Sequence, residues 1–307
     1  MKVAIIGRTE VLYETIELLI DCGYAIPLII TSKESLEYTK IAKDFEFLAK
    51  KIESKYIYTN TLNEYKEEIK DANCEIAISL NYSSIISQKI IDLFPLGILN
   101  AHGGDLPRYR GNACQAWAII NGENKIGLCI HSMIGGEMDS GNIIDRKYLS
   151  IDENTKITVI YDWFSQIIPG MFLNSIKKLE ECENYILEVQ STNPKSALRC
   201  YPRVIEDGRI DWNKSNIEIL RLINASNKPY SGAYCLYKDK KLIIWDAELF
   251  KDNEIYLSAV GQVANLNKDG SIIVITKSGK LKINVIEYCG FIGKATEKIK
   301  SIRTRLH

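Results

Sequence analysis

Asn100, His102 and Asp139 are the residues of this chain best suited, by type and spacing, to acid–base chemistry. Asn100-Ala101-His102 closes a short apolar run. It leads into Gly103-Gly104-Asp105-Leu106-Pro107-Arg108-Tyr109-Arg110-Gly111. Residues two apart on a strand share a face, so the Asn100 amide and the His102 imidazole would project together. A neutral imidazole takes or gives a proton near neutral pH, and an amide N–H stabilises a developing oxyanion. The chain holds three histidines, at 102, 131 and 307. His102 falls beyond a strand's carboxyl end, where open α/β sheets bind ligands. The plainer reading of a lone histidine is a hydrogen-bonded core residue in a turn. The Asn-x-His pair and the glycines after it favour chemistry.

A second segment, Gly135-Gly136-Glu137-Met138-Asp139-Ser140-Gly141-Asn142, lies between two apolar runs. A turn there would bring the Asp139 carboxylate against His102, orienting the ring or raising its basicity. Asp-Ser-Gly is good chemistry for a plain hairpin, and taken alone the segment reads as one. Arg108 and Arg110 suit a phosphate, or structural ion pairs. Trp212, in Arg209-Ile210-Asp211-Trp212, and Tyr230, in Pro229-Tyr230-Ser231-Gly232-Ala233, can stack a ring or pack between domains.

The elements that must position these groups alternate. MKVAIIG (1–7), AIPLIIT (25–31), KYIYT (55–59), EIAISLNY (75–82) and GILNAH (97–102) read as strands. Between them, EVLYETIELLIDCG (10–23) sets Leu12, Ile16, Leu19 and Ile20 on one face. Residues 37–52, 62–71 and 85–93 read as further helices. This alternation predicts an α/β domain with an open, mainly parallel sheet and helices on both faces. A helix over 113–121 and strands over 125–133 and 142–151 follow. A long helix over 157–181 comes next, expected to kink or break at Pro169. After a helix at 216–226, short strands separated by KDK, KDG and KSG turns predict a small barrel or sandwich. The expected division is a first domain over 1–182, a linker over 183–206 and a β-rich domain over 207–307. Gly7 stands alone after the first strand, without GxGxxG, which argues against a dinucleotide. No GxxxxGK[ST] is present.

The 307 residues are 46% apolar and 25% charged, the profile of a globular protein of two domains. No apolar run reaches the ~18 residues of a membrane span. The N-terminus is too short and too soon charged for a signal peptide. Eight cysteines lie scattered without a CxxC. This predicts reduced thiols in the cytoplasm rather than a disulfide framework or a metal site. The net charge of zero divides into −8 over residues 1–190 and +8 over 191–307. An anionic partner near the C-terminal part, or chance, accounts for this.

LGILNAHGGDLPRYRG, followed by QAWAIINGENKIGLCIHSMIGGEMDSGNII, resembles the core of the formyltransferases that use N10-formyltetrahydrofolate. The shared features are Asn-x-His, LPxYRG, a helix with a Trp-Ala pair and a late Asp-x-Gly-(Asp/Asn)-Ile. They cover roughly residues 75–151, with a weaker likeness at RIDW and PYSGA. Gly103-Gly104 and Asn142 depart from the commoner pattern. The resemblance implies a Rossmann-like first domain and a smaller OB-like C-terminal domain. It also implies a catalytic triad of Asn100, His102 and Asp139. The folate would lie along Leu80, Asn81, Tyr82, Met133, Gly135, Gly136, Met138 and Asp139. The acceptor would meet Arg108, Arg110, Trp212 and Tyr230, and no metal is implied.

The tRNA branch of this family carries a basic Pro/Gly/Arg-rich loop after its second strand. Residues 31–51 here hold neither Pro nor Gly. In this the chain resembles the amino-sugar nucleotide N-formyltransferases. The expected acceptor is therefore a dTDP- or UDP-linked amino-deoxy sugar of cell-surface glycan synthesis. Neither membrane nor nucleic acid is expected as a partner; the oligomeric state is left open, with a homodimer among the options. The alternatives are a methionyl-tRNA formyltransferase, a formyl-folate hydrolase and an inactive folate- or nucleotide-binding module.

Overall fold

The computed structural model describes residues 1–35 and 38–307. In chain order the first elements are β1 (Lys2–Gly7), α1 (Glu10–Asp21), β2 (Ala25–Thr31), α2 (Ala42–Lys51) and β3 (Lys55–Tyr58). Next come α3 (Lys66–Asp71), β4 (Ile76–Leu80), α4 (Gln88–Ile91), β5 (Ile98–His102), β6 (Tyr109–Gly111) and α5 (Cys114–Asn121). They are followed by β7 (Lys125–Ser132), β8 (Ile143–Ser150), α6 (Ile157–Glu181), β9 (Leu198–Cys200) and α7 (Asn216–Ala225). The last are β10 (Ala233–Tyr237), β11 (Lys240–Phe250), β12 (Val263–Leu266), β13 (Ile272–Ile275), β14 (Lys280–Tyr288) and β15 (Phe291–Lys294). Contacts divide the chain into two compact units. Met1–Gly111, Gly127–Leu149 and Asp162–Cys200 form the first; Asn112–Ile126, Ser150–Tyr161 and Tyr201–His307 form the second.

The first unit holds a sheet of order β3-β2-β1-β4-β5-β7-β8. Strands β1 to β5 run parallel, as the alternation predicts, and β7 runs antiparallel to β5. Val3, Ile5, Leu28, Ile29 and Ile76 have no exposed surface. Strands covered on both faces must be apolar on both. The strand order reverses between β1 and β4, and such a reversal opens a crevice at the carboxyl ends. That edge carries the end of β5 and thus His102.

Several expected boundaries move. The helix expected over 37–52 begins at Ala42, because the Asp44 carboxylate caps the Ile41 N–H at 2.8 Å. Residues 36 and 37 lie outside the described residues. The helix over 62–71 opens as a 3₁₀ turn, Leu62–Tyr65. Strand β4 stops at Leu80, where Asn81 takes a left-handed φ of 53°. The long helix does not break at Pro169: α6 is one helix of 25 residues. Proline there costs about 3 kcal/mol. Phe164, Ile168, Met171, Phe172 and Ile176 are buried, and burial of each contributes about 1.5–3 kcal/mol. Within 183–206, Gln190 is buried and β9 pairs with β6.

In the second unit, α7 starts on a capping box: the Ser215 hydroxyl accepts from the Glu218 N–H, and the Glu218 carboxylate from the Ser215 N–H. Its Ile219, Leu220 and Ile223 join Cys235, Leu242, Ile244, Val274, Leu281 and Ile283 in one apolar core. The six strands form an antiparallel sheet, β10-β11-β14-β13-β12, with β15 on β14. Residues 304–307 tie its two edges together. Leu236 and His307 exchange backbone hydrogen bonds of 2.6 and 3.0 Å, and the Val263 N–H donates to Thr304 at 3.0 Å. The edges are thereby paired, as in a small barrel. Among the described residues no helix is long and apolar enough to cross a membrane.

Candidate active site

Strand β5 presents Asn100 and His102 on one face. The antiparallel register of β7 sets His131 opposite Asn100 and Cys129 opposite His102. Directly opposed residues bring their side chains together. Asn100 Nδ2 lies 3.2 Å from His131 Nε2. The segment after β7 returns Asp139 between the two rings. Its Oδ2 is 3.5 Å from His102 Nδ1, and its Oδ1 is 3.5 Å from His131 Nε2. The Gly111 N–H donates to Asp139 Oδ2 at 2.9 Å.

Backbone carbonyls settle where the ring protons sit, since a carbonyl only accepts. His102 Nε2 faces the Tyr109 carbonyl at 2.7 Å, so Nε2 carries the hydrogen. His131 Nδ1 faces the Ser132 carbonyl at 2.9 Å, so there the hydrogen is on Nδ1. The bare nitrogen of each ring therefore lies on the Asp139 side.

Burial pushes the His102 pKa below its usual value, against the pull of the Asp139 charge. Burial acts to raise the Asp139 pKa. Positive charge on His102, once that ring is protonated, and the Gly111 N–H overcome it and hold the carboxyl well below the usual range. The resting state is thus a carboxylate beside a neutral His102.

The backbone around this group is specialised. A Cβ at Gly104 would lie 2.4 Å from the Tyr109 carbonyl and 2.5 Å from His102 Nε2, so only glycine fits. Asp139 itself has φ 53°. Gln190 holds this turn: its Nε2 donates to the Asp139 carbonyl at 3.0 Å and the Gly141 carbonyl at 2.6 Å. Arg110 Nη2 donates to Gln190 Oε1 at 2.8 Å. Asp105 accepts from Arg146 Nη1 at 2.6 Å, anchoring the loop that follows His102.

The residues expected along the folate divide into two stretches. Leu80 is buried at the end of β4. The Asn81 carbonyl accepts from Arg8 Nε at 2.7 Å, and the Tyr82 hydroxyl donates to the Thr59 carbonyl at 2.8 Å. Met133 and Tyr82 pack on one apolar cluster with Ile86, Ile90 and Ile98. The Gly135 N–H donates to Gln88 Oε1 at 2.8 Å, Gly136 has φ 80°, and Met138 lies beside Gly111. The structure thus sets Met133 on the same cluster as Tyr82, Gly135 against α4 and Met138 by β6.

Of the residues expected to meet the acceptor, Arg108 stacks on Tyr109 at 5.4 Å and Arg110 is engaged by Gln190. In the second unit, Trp212 is buried in the core, and the Tyr230 hydroxyl bonds Tyr161 at 2.9 Å.

No local pattern in the sequence marks His131, Gln190 or Arg8. His131 stood as one of three histidines, but its place depends on strand register. Gln190 has no local signal. Arg8 follows β1 and lines a 480 Å³ cavity with Lys33, Glu34, Asn60, Ser83 and Ser84, at the carboxyl ends of four strands.

Comparison with known proteins gives two family matches: formyl transferase over residues 1–176, and formyl transferase C-terminal domain over residues 204–302. The bifunctional polymyxin resistance protein ArnA of Wigglesworthia glossinidia brevipalpis is 30% identical over 316 residues, covering 99% of this chain and 46% of that protein. The chain thus spans about half the length of that relative. The methionyl-tRNA formyltransferase of Malacoplasma penetrans is 24% identical over 308 residues, covering 98% of this chain and 92% of that one. Among solved structures, an N-formyltransferase from Helicobacter canadensis, in complex with folinic acid and dTDP-3-aminofucose, shares the fold. Its TM-score is 0.68 at 20% identity, with 92% of this chain and 98% of that chain covered.

Proposed function

The chain belongs to the formyl transferase family, and we propose that it moves the formyl group of N10-formyltetrahydrofolate to the amine of a nucleotide-linked amino sugar. The observation that carries this reading is the buried cluster in which Asp139 lies between His102 and His131, with Asn100 beside them.

The amine nitrogen attacks the formyl carbon, and the carbonyl oxygen becomes an oxyanion. An N–H of Asn100 stabilises that charge. The amine must lose a proton. His102 Nδ1 is the atom suited to take it, directly or through a water, because Nε2 already carries the hydrogen given to Tyr109. The imidazolium so formed is paired with Asp139, whose low pKa makes it a counter-charge rather than a base. When the bond between the formyl carbon and N10 breaks, the proton passes from His102 to N10, and the ring returns to neutral.

The choice of acceptor is supported by the 31–51 segment without Pro or Gly, and by the cavity beside Arg8 and Lys33. Two cations suit a diphosphate. The Helicobacter canadensis N-formyltransferase, with the same fold, holds a dTDP-linked amino sugar. A second reading, formylation of methionyl-tRNA, draws on the Malacoplasma relative and the +8 charge of residues 191–307. Incubation with the formyl donor and a panel of dTDP- and UDP-amino sugars, read by mass spectrometry, decides between them. A formyl mass gain on a sugar nucleotide supports the first reading. Faster formylation of charged initiator tRNA than of every sugar tried establishes the second.

A further inference from the structure

We infer that His131 is a positioning residue: its Nε2 accepts an N–H of Asn100 and so fixes which end of that amide is available to the reacting carbonyl. As a statement about catalysis this rests on the formyl-transfer reading above.

His131 is 2% exposed, on a strand whose other inner residues, Ile126, Leu128, Cys129 and Ile130, are apolar. A buried imidazole there costs free energy unless both nitrogens are used. Nδ1–H goes to the Ser132 carbonyl at 2.9 Å, which leaves Nε2 as an acceptor. Asn100 Nδ2 is 3.2 Å from it, within hydrogen-bond range. Asp139 Oδ1, at 3.5 Å, is beyond a good hydrogen bond.

An asparagine side chain has one donating end and one accepting end of nearly equal size. Sterics alone leave its orientation open. The Nε2 lone pair attracts the NH₂ end of Asn100 and repels Oδ1. One N–H is spent on His131, and the second remains for an oxyanion. Without that acceptor the amide is free to turn, and a carbonyl oxygen facing an oxyanion would repel it. His131 thus acts through Asn100 and touches no substrate.

Two substitutions separate this role from space-filling. His131→Met keeps bulk and removes the acceptor; His131→Gln offers an amide oxygen as a replacement. With folding checked by circular dichroism, His131→Met is expected to lower kcat by about 10- to 100-fold, part of what losing an oxyanion donor costs. KM for formyl-folate should stay within about twofold, since the change acts on the transition state. His131→Gln should recover much of the rate. Asn100→Ala in the His131→Met background should add little. Equal losses in the Met and Gln variants, or additive losses in the double variant, would overturn the proposal.

A readout independent of turnover uses ¹⁵N spectra of the histidine rings, with His131 assigned by its loss in His131→Met. The expected result is a proton on Nδ1 and a bare Nε2 whose resonance moves in Asn100→Ala. A proton on Nε2, or an Nε2 resonance indifferent to Asn100, rejects the hydrogen bond. Failure of the wild-type protein to transfer formyl groups would strike the functional reading, while the ring spectra still decide the contact.

Discussion

The Gln190 side-chain amide donates to the main-chain carbonyl of Asp139, 51 residues away, at 3.0 Å. Gln190 is 4% exposed. It also bonds the Gly141 carbonyl and accepts from Arg110. One buried amide thus joins the Asp139 turn to the loop that follows His102.

Gln190→Ala should therefore cost about 1–3 kcal/mol of stability, since buried polar groups lose their partner. It should also lower kcat, because Asp139 is no longer held against His102. Thermal melting and steady-state kinetics check this. An unchanged melting midpoint with unchanged kcat would mean that the amide holds nothing the turn needs.

His102→Ala should lower kcat by ~10²–10⁴-fold, the usual cost of a general acid–base group. Asp139→Asn removes only charge, so folate affinity should persist while kcat drops strongly. The double variant should be little worse than the worse single one, because both act on one transition state. Near-wild-type turnover in folded His102→Ala protein would make that histidine structural.

Acid should destabilise the fold in two windows. Folded His102 resists protonation, its pKa lying below the ordinary 6.5. Below that pH the unfolded chain binds more protons, and stability falls as pH falls. Folded Asp139 has a pKa below the ordinary 3.8, so its contribution is present above that value and lost beneath it. Melting midpoints from about pH 8 to about pH 5 isolate the first window. His102→Gln should flatten the decline there; a decline of unchanged slope would assign it to other groups.

Gly104→Ala places a methyl group 2.4 Å from the Tyr109 carbonyl and 2.5 Å from His102 Nε2. Backbone or ring must shift, so both melting temperature and kcat should fall. Retention of both would show that the loop relaxes without moving His102.

Acceptor binding should weaken only modestly with added salt if the acceptor is a sugar nucleotide, which makes few ionic contacts. A tRNA contacting many phosphates loses affinity steeply. Titrations at low and high salt distinguish the two slopes.

The sequence by itself determined the alternating frame, the parallel sheet and the Asn-x-His pair on the fifth strand. These are written in local periods: apolar runs, helical faces, and a spacing of two along a strand. Asp139 was legible only through the family resemblance of its late Asp-x-Gly-Asn-Ile motif, because the composition of a glycine-rich turn fits a plain hairpin as well. Only the tertiary structure decided what surrounds them. His131 meets Asn100 through the antiparallel register of β5 and β7, a pairing across 31 residues. Gln190 reaches Asp139 from a segment whose sequence reads as linker. Arg110, of a type that suits a phosphate, is held by that glutamine. The physical reason is common to all three. A polar side chain leaves the same mark in the sequence whether it faces water or a buried partner, and only the packing of distant segments selects between them.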